Sequence, residues 1–439
     1  MTELPVGWTW TTVGELGDVM LGRQRAPKYH SGPNMRPYLR VKNVFENRID
    51  LSDVMEMDFS SEEFERYRLE PGDILLNEGQ SPELIGRPAM YQGELPGACF
   101  TNSLIRFRAK AAIQPLFALY LFRHYMHSGR FQREARITTN IAHLSAGRFA
   151  SIEVALPPLQ EQRRIVATIE ENFPRLDAAV SALRSAQERA AIACRSVLAT
   201  AFSGFSETYP LVSLSESDRP ICYGILKPKT VGELVVPYVE VRSIRDGRID
   251  AGSLHRTTTA LHEEFARSKL RAGDVVMAIR GSWDRAAVVQ QELDGANISR
   301  DVARIAPIAD LDPQFLAHYL ASPLASRYFT SVARGVGVRG VNISDLRLLP
   351  VPCPSAAVQQ ETIGRIDIAL SSLNVVTCDI TAGLRRAVAL RRAILASAFR
   401  GNLVPQDPGD EPAESLITRT ADAGDASPKR PRSLERTPA

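Results

Sequence analysis

"PYLRVKNVFENRID" at residues 37–50 returns as "PYVEVRSIRDGRID" at residues 237–250, an offset of 200 (237 − 37). Three further pairs follow in the same order: "YRLEPGDILL" (67–76) with "SKLRAGDVVM" (268–277), "QRRI" (162–165) with "QETI" (360–363), and "LATAFSG" (198–204) with "LASAFRG" (395–401). The offset drifts by only a few residues along the chain. The sequence therefore predicts one module of about 200 residues that was duplicated and then diverged.

Each module has a β-rich part followed by a long amphipathic helix. The β-rich part contains short apolar runs such as "GDILL", broken by Gly, Pro and Asn. Apolar residues of the first helix recur from Ile169 onward at intervals of three and four, and the second helix repeats them at an offset of 197 (366 − 169). Two such narrow stripes are expected to pack against each other. The predicted contacts are made by Ile169, Phe173, Leu176, Val180 and Leu183 in one helix and by Ile366, Leu370, Leu373, Ile380 and Leu384 in the other.

Four residues interrupt these helical patterns. Pro174 is expected to kink the first helix or to start a new one, since it removes a backbone donor, and Gly383 weakens the second helix. Gln187 and Arg391 make the stripe polar near one end. Two unrelated surface helices are the alternative, but they would not share a register. The stripe is roughly 50 Å long, about one and a half turns of B-DNA.

The composition is that of a folded protein whose net charge is close to zero. The chain has 439 residues, 44% hydrophobic and 23% charged, and a net charge of +3. Its five cysteines are scattered, which favours reduced thiols in the cytoplasm over disulfides or structural zinc. We expect no membrane segment, because no apolar run reaches about 18 residues. Arg outnumbers Lys strongly, which suits contacts with phosphate and guanine, although base composition of the genome explains it equally well.

The motifs needed for catalysis are missing, and the sequence predicts neither catalytic residues nor metal ligands. "LPPL" (156–159) lacks both ends of an amino-methyltransferase tetrapeptide, and Asp73 and Glu78 lack the lysine of a common nuclease motif. Walker and H-E-x-x-H patterns do not occur. The spacing Gly335-x-Gly337-x-x-Gly340 matches a dinucleotide loop, but a helical pattern precedes it and three prolines follow it, so this reading is rejected.

The loops that differ between the modules are the predicted binding surface. Arg pairs with guanine, and Asn or Gln pairs with adenine. The candidates for DNA contact are Asn77, Gln80, Arg87, Arg136, Thr139 and Asn140 in module one and Arg280, Trp283, Arg285, Arg334, Arg339 and Asn342 in module two. The glycines of the second loop would let its backbone approach the duplex closely. An ordinary solvated loop remains the alternative for each residue.

The chain resembles the specificity (S) subunits of type I restriction-modification systems, and the resemblance extends from "LPVGWTWTTVGELGDV" (4–19) to "AFRGNLVPQDP" (398–408). The characteristic stretches are "GDIL", "ALPPLQEQRRI" (155–165) and "LASAFRGNL" (395–403). Module two departs from the pattern, since "LPVPCPSAAVQQETI" lacks the compact P-P-L-x-E-Q form, which leaves the start of its helix uncertain.

The resemblance implies an α+β protein with pseudo-twofold symmetry, in which the two long helices form an antiparallel coiled coil. The expected divisions are a first target recognition domain (1–157), a first helix (158–204), a second target recognition domain (205–352) and a second helix (353–402). Residues 403–439 are rich in Pro, Asp, Glu, Ser, Thr and Ala and have few large apolar residues, so their composition predicts a disordered tail. Each domain would read one half of a split site in double-stranded DNA. The long helices would dock two modification (M) subunits, and restriction (R) subunits would join them.

The resemblance also implies that this chain is not an enzyme and binds no cofactor of its own. S-adenosylmethionine, ATP and Mg²⁺ would be bound only by the M and R subunits, in the cytoplasm. A duplicated coiled-coil scaffold that binds only protein is the alternative function.

Overall fold

A computed structural model describes residues 4–138, 141–226, 232–245, 247–335 and 339–425. The chain divides into two compact units. Unit 1 comprises Met1–Ser181 and Leu384–Ala439, and unit 2 comprises Ala182–Gly383. The two divisions fall inside the two long helices, so each unit contains part of each long helix.

The helices and strands of the first module follow in chain order. They are β1 Thr9–Thr12, α1 Val13–Leu16, β2 Gly17–Leu21, β3 Met35–Leu39, β4 Val44–Phe45, β5 Arg48–Ile49, β6 Met55–Asp58, α2 Ser61–Tyr67, β7 Ile74–Asn77, β8 Gly79–Gln80, β9 Pro88–Met90, β10 Cys99–Phe100, β11 Leu104–Ala109, α3 Pro115–His127, α4 Arg130–Glu134, β12 Arg136–Thr138, β13 Ile141–His143, α5 Ala146–Ala150, β14 Glu153–Leu156 and the long helix α6 Leu159–Phe202.

The second module runs through a similar series. Its elements are β15 Tyr209–Pro210, β16 Cys222–Tyr223, β17 Val236–Val239, β18 Ile244–Arg245, β19 Arg248–Ile249, β20 His255–Thr257, α7 Thr259–Glu264, β21 Val275–Ala278, β22 Ala286–Val288, β23 Asn297–Ile298, β24 Val302–Ile305, α8 Pro313–Leu320, α9 Pro323–Val332, α10 Ile343–Arg347, β25 Pro350–Val351 and the long helix α11 Ala356–Ala398. A further helix, α12, covers Ala413–Asp425.

Among the described residues, the two units share four sheets, and unit 1 has in addition the three-stranded sheet β12-β13-β8. The four-stranded sheet has the order β2-β11-β7-β9 in unit 1 and β16-β24-β21-β22 in unit 2. The three-stranded sheet is β10-β3-β6 in unit 1 and β23-β17-β20 in unit 2, with one parallel and one antiparallel pairing in each. The pairs β1-β14 and β4-β5 correspond to β15-β25 and β18-β19. The repeat seen in the sequence is therefore a repeat of strand order and pairing.

Apolar strand residues form the cores, and a buried ion pair marks the "GD" turn that precedes β7 and β21. Asp73 is 1% exposed and accepts hydrogen bonds from Nε and Nη2 of Arg108 at 2.7 and 2.8 Å. Asp274 is 2% exposed and accepts from Nη1 and Nη2 of Arg219 at 2.8 and 2.6 Å. Each carboxylate also accepts a backbone N–H three residues before it, so the repeated aspartate stabilises the turn by charge-assisted hydrogen bonds.

A buried glutamine joins each long helix to its own globular part. Nε2 of Gln162 donates to the carbonyls of Ala112 and Pro157 at 3.0 Å, and its Oε1 accepts from the backbone N–H of Gln114 at 2.8 Å. In unit 2, Gln359 makes the same three hydrogen bonds with Asp310, Pro354 and Asp312, each at 2.8 Å. The counterpart of Gln162 is therefore Gln359, not Gln360 as the sequence alignment assumed, and the offset of 197 already holds at the first helical turn.

Within each unit the two helix parts run antiparallel. In unit 1, Arg391 of α11 pairs with Asp177 of α6 and lies over the ring of Phe173, whereas Leu395 and Ala398 share a core with Ile165 and Ile169. In unit 2, the side chain of Leu183 lies against Gly383, and Leu198 and Phe202 share a core with Ile363 and Ile366. All ten residues of the predicted helix–helix contact are buried or half-buried. Gln187 is exposed, and the neighbouring Ala186 takes the inward position.

The two expected weak points of the helices have different outcomes. Helix α6 continues through Pro174 from Leu159 to Phe202, so no new helix starts at the proline. At Gly383, a β-carbon would lie 3.1 Å from Cδ1 of Leu183, closer than most side-chain contacts. The glycine therefore makes room for a leucine of the neighbouring helix, which offsets its low helix propensity.

The prediction of a disordered tail is wrong for residues 403–425. Leu403, Val404, Leu416 and Ile417 pack on the core of unit 1, and Ala413 is completely buried. Asp410 accepts a hydrogen bond from Nη2 of Arg164 at 2.6 Å, and the N–H of Ala413 donates to the carbonyl of Gly7. These few apolar residues suffice because the body of unit 1 supplies the surface they bury. Residues 426–439 lie outside the described part of the chain.

One helix of the described residues, Ala356–Ala398, is long and apolar enough to cross a membrane when length and composition alone are considered. Its apolar window has a mean hydropathy of 1.2. Only 11% of that window is buried, and one such helix is weak evidence for a membrane segment.

We predict that Gln162→Leu and Gln359→Leu each destabilise the corresponding unit by about 1–3 kcal/mol, because each leaves buried backbone groups without a partner. Urea denaturation, followed by circular dichroism, measures the loss. Gln160→Leu, at an exposed position of the same helical turn, is the matched control and should change stability by less than about 0.5 kcal/mol. Equal midpoints for the Gln162 and Gln160 variants would contradict the role of the buried amide.

Candidate nucleic-acid interface

In unit 1 a hairpin extends from the body beside the end of β7. We call it arm 1, the strands β12 and β13. Gly79 and Gln80 of β8 pair with His143 and Ala142 of β13, which fixes the hairpin to the body. Arg136 is exposed, and Ile137 and Ile141 are 49% and 51% exposed. Thr139 and Asn140, between these two strands, lie outside the described residues.

Unit 2 places a shorter segment at the corresponding position. We call it arm 2, residues 334–335 and 339–340. Arg334 and Gly340 exchange two backbone hydrogen bonds of 2.9 Å, and Gly340 also bridges to Arg280 at the end of β21. Arg280, Arg334 and Arg339 are exposed. Nη2 of Arg339 donates to the carbonyls of Thr330 and Ala333 at 3.0 and 3.1 Å, which holds its guanidinium against the end of α9.

The two described glycines of arm 2 have different local roles. A β-carbon on Gly340 would lie 3.1 Å from Cγ of Arg280 and 3.3 Å from the carbonyl oxygen of Ile279. Gly335 has a φ of +124°, a backbone conformation that residues other than glycine rarely adopt. Gly340 therefore leaves room for the strand end beside it, and the close approach of this backbone to DNA stays a prediction. Gly337 lies outside the described residues.

Of the remaining module-one candidates, two lie partly at the surface and one does not. Gln80 is half-buried, and its Oε1 accepts the N–H of Ser81 at 3.2 Å. The guanidinium of Arg87 lies 4.7 Å from the ring centre of Phe45, and burial lowers its pKa. Asn77 is completely buried as the last residue of β7, so the prediction that it contacts DNA is wrong. Neither polar atom of its side chain makes a hydrogen bond with a described residue.

The remaining module-two candidates divide between the surface and the body. Trp283 is half-buried and packs on the core of unit 2. Nη1 of Arg285 donates to the carbonyl of Val241 at 3.1 Å, so this arginine supports the neighbouring turn. Asn342 is exposed immediately before α10.

Arg300, which lies beside Arg280, was not among the residues that the sequence predicted to contact DNA. Nε of Arg280 and Nε of Arg300 lie 3.5 and 3.6 Å from Oδ1 of Asp301. Both side chains stay about half exposed, at 55% and 49%. Arg300 and Asp301 correspond to Asn102 and Ser103 of module one, and this difference in an otherwise matched turn was the available signal.

The exposed groups of arm 1, arm 2 and the Arg280–Arg300 cluster suit nucleic acid. Guanidinium groups donate to phosphate oxygens and to the O6 and N7 atoms of guanine, and exposed isoleucines can contact thymine methyl groups. Within the described ranges, no group of three or more His, Cys, Asp or Glu side chains is arranged to hold a metal ion.

Comparison with known proteins identifies relatives of both modules. Residues 5–177 match the type I restriction modification DNA specificity domain family. The EcoBI specificity subunit of Escherichia coli is 26% identical over 302 residues, which cover 63% of each chain. The MjaX specificity subunit of Methanocaldococcus jannaschii, described as putative, is 28% identical over 38% of this chain and 40% of that protein. Both matches thus span less than two thirds of the relative's length.

Longer matches have lower identity. The EcoKI specificity subunit of Escherichia coli is 20% identical over 93% of this chain and 92% of its own length. A solved chain, from work on complex assembly and conformational transition of the type I R-M system, superposes with a TM-score of 0.72 at 19% identity, covering 92% of this chain and all of that one. The HsdS subunit of Thermoanaerobacter tengcongensis gives 0.51 at 20% identity, covering 91% and 98%.

The two solved structures show a shared fold, and the sequence matches show the relationship. The resemblance inferred from the repeated stretches is thereby confirmed. Residues 5–177 match the type I restriction modification DNA specificity domain, and the whole chain is similar in sequence to the specificity subunits of type I restriction enzymes.

Proposed function

We propose that this chain is the DNA specificity subunit of a type I restriction-modification complex. The observation that carries the proposal is the contrast between the interior and the surface of the two units. The buried aspartate and glutamine contacts occur twice, whereas the arms beside β7 and β21 differ in length, glycine content and charge. Two readers of different DNA sequences would need this combination.

In this proposal the two globular parts are target recognition domains, each reading one half of an asymmetric split site. The long helices act as an antiparallel coiled coil that sets the gap between the half-sites. The antiparallel helix contacts inside each unit support this role, as does the constant offset of 197 between Gln162 and Gln359 and between Ile169 and Ile366.

The proposed partners are two M subunits and the R subunits, in the cytoplasm. S-adenosylmethionine would be bound by the M subunits, and ATP and Mg²⁺ by the R subunits, so that this chain supplies recognition without catalysis. Exposed apolar residues on α11 support protein docking there. In the part of this helix that belongs to unit 2, Ile368 and Val375 are 73% and 60% exposed and seven residues apart, so they lie on one face.

A gel-shift titration tests the function. The purified chain, mixed with the M subunit encoded beside it, should retard duplexes that contain its methylated motif more strongly than random duplexes of equal length. Absence of retardation with the M subunit at any salt concentration would favour the scaffold alternative, which none of the comparisons supports.

We predict that replacing residues 1–157 by the first domain of another family member changes one half of the methylated motif and leaves the other half and the gap unchanged. Methylome sequencing of a host that expresses the hybrid with its M subunit measures both halves at once. A change in both halves would overturn independent reading by the two domains.

We predict that inserting four helical residues after Gln187 and four after Asp379 lengthens the gap between the half-sites by about two base pairs, since four residues add about 6 Å at 1.5 Å per residue. These positions follow from the contact between Leu183 and Gly383. Methylome sequencing again reads the gap, and single insertions serve as mismatched controls. An unchanged gap would remove the helices from spacer measurement.

A further inference from the structure

An open cleft in unit 2 lies beside arm 2. It has a volume of ≈ 680 Å³, and Tyr238, 3% exposed, forms part of its floor. The charged residues of its rim are Glu240 and Arg242 after β17 and Arg300 and Asp301 after β23. Arg280, which anchors arm 2, shares Asp301 with Arg300, so the cleft and the arm form one continuous surface.

Unit 1 builds the same backbone at this place. The N–H of Ser299 donates to the carbonyl of Val239 at 2.9 Å, and the N–H of Thr101 donates to that of Leu39 at 3.1 Å. The next residue in each unit also donates to a matched carbonyl: Arg300 to Ile225 at 2.9 Å, and Asn102 to Arg23 at 3.0 Å. The floor tyrosine recurs as Tyr38.

Three of the four rim side chains change in charge or polarity between the units although the backbone is the same, and the fourth, Arg242, corresponds to Lys42, which keeps the charge. Glu240 corresponds to Arg40, which reverses the charge, and Arg300 corresponds to Asn102. Asp301 corresponds to Ser103, and Arg280 corresponds to Gly79. A frame that is retained while its polar rim changes in charge and donor type is what two sites for different ligands require.

Hydrogen bonds hold the rim residue Arg242 in place, whereas Arg300 retains free donors. Nε of Arg242 donates to Oε2 of Glu240 at 3.0 Å, and its Nη2 lies 2.7 Å from Nδ1 of His255. Its side chain is 50% exposed. Arg300 is 49% exposed, and its nearest carboxylate oxygen is 3.6 Å away. Glu240 is therefore a positioning residue that aims a guanidinium, and Arg300 has several uncommitted N–H groups.

We propose that this cleft reads a guanine in one half of the DNA site, through donation from Arg242 and Arg300 to the O6 and N7 acceptors of its major-groove edge. A guanidinium matches these two acceptors with two parallel hydrogen bonds, and guanine presents this pair alone among the bases. This assignment rests on the proposed function and names the base that unit 2 would read. In unit 1 the same position carries Asn102, whose amide suits adenine.

The test uses the full chain in complex with its M subunits. Competition binding compares the methylated motif with duplexes in which each base pair is replaced in turn. Arg300→Ala and Arg242→Ala should lose discrimination at one guanine of one half-site by roughly 5- to 150-fold, the range for a bidentate contact. Arg300→Lys keeps the charge without the fork, so it should lose most of that discrimination but less of the affinity. Arg271→Ala, at an exposed position of unit 2 outside the cleft lining, is the control for loss of one charge.

The outcomes separate the inference from the proposed function. A wild-type complex without any sequence preference would overturn both. A selective wild-type complex whose cleft variants keep every base preference would overturn the cleft alone. Uniform weakening on all duplexes, as for a phosphate contact, would also overturn base reading by the cleft. Melting curves that match wild type show that the variants are folded.

Discussion

The apolar stripe of each long helix has to be covered, and most other features of the structure follow from how it is covered. A helix of 44 or 43 residues with a narrow apolar face gains little stability alone, whereas each buried isoleucine contributes roughly 1.5–3 kcal/mol. In each unit the globular body covers the beginning of one helix and the end of the other. The ion pair of Asp177 with Arg391 and the contact of Leu183 with Gly383 fix the antiparallel direction locally.

Buried polar contacts tie the start of each long helix to its own body. Gln162 and Gln359 satisfy three backbone groups each, and a buried amide that lost these partners would be costly. A second link joins the bodies to the helices, from Tyr120 to Glu170 in unit 1 and from His318 to Asp367, at 2.9 Å, in unit 2. The side chains differ, but the position of the link is the same.

A rigid repeated interior leaves the surface free to diverge. Arm 1 consists of two paired strands, whereas arm 2 is a glycine-containing segment closed by a single β-bridge among its described residues. The rim of the cleft carries Glu240 in unit 2, and the corresponding residue in unit 1 is Arg40. This reversal of charge leaves the core intact because Glu240 and Arg40 lie outside the apolar clusters, although their side chains are only 26% and 17% exposed. The tail adds an asymmetry, since the ordered residues 403–425 pack on unit 1.

The repeat, the helix register and the family resemblance could be read from the sequence, because apolar periodicity and spacing depend on local geometry. Other features could not be read from the sequence. They are the packing of Leu403, Val404 and Ile417 on unit 1, the burial of Asn77, the inward position of Ala186 beside exposed Gln187 and the matching of Gln162 with Gln359. Each depends on which distant surface lies beside the residue. Composition suggested disorder after residue 402, but a surface on unit 1 supplied the missing apolar contact. The sequence alone thus determined the duplicated plan, and tertiary structure decided which side chains face solvent, because burial is a property of the neighbours that folding brings together.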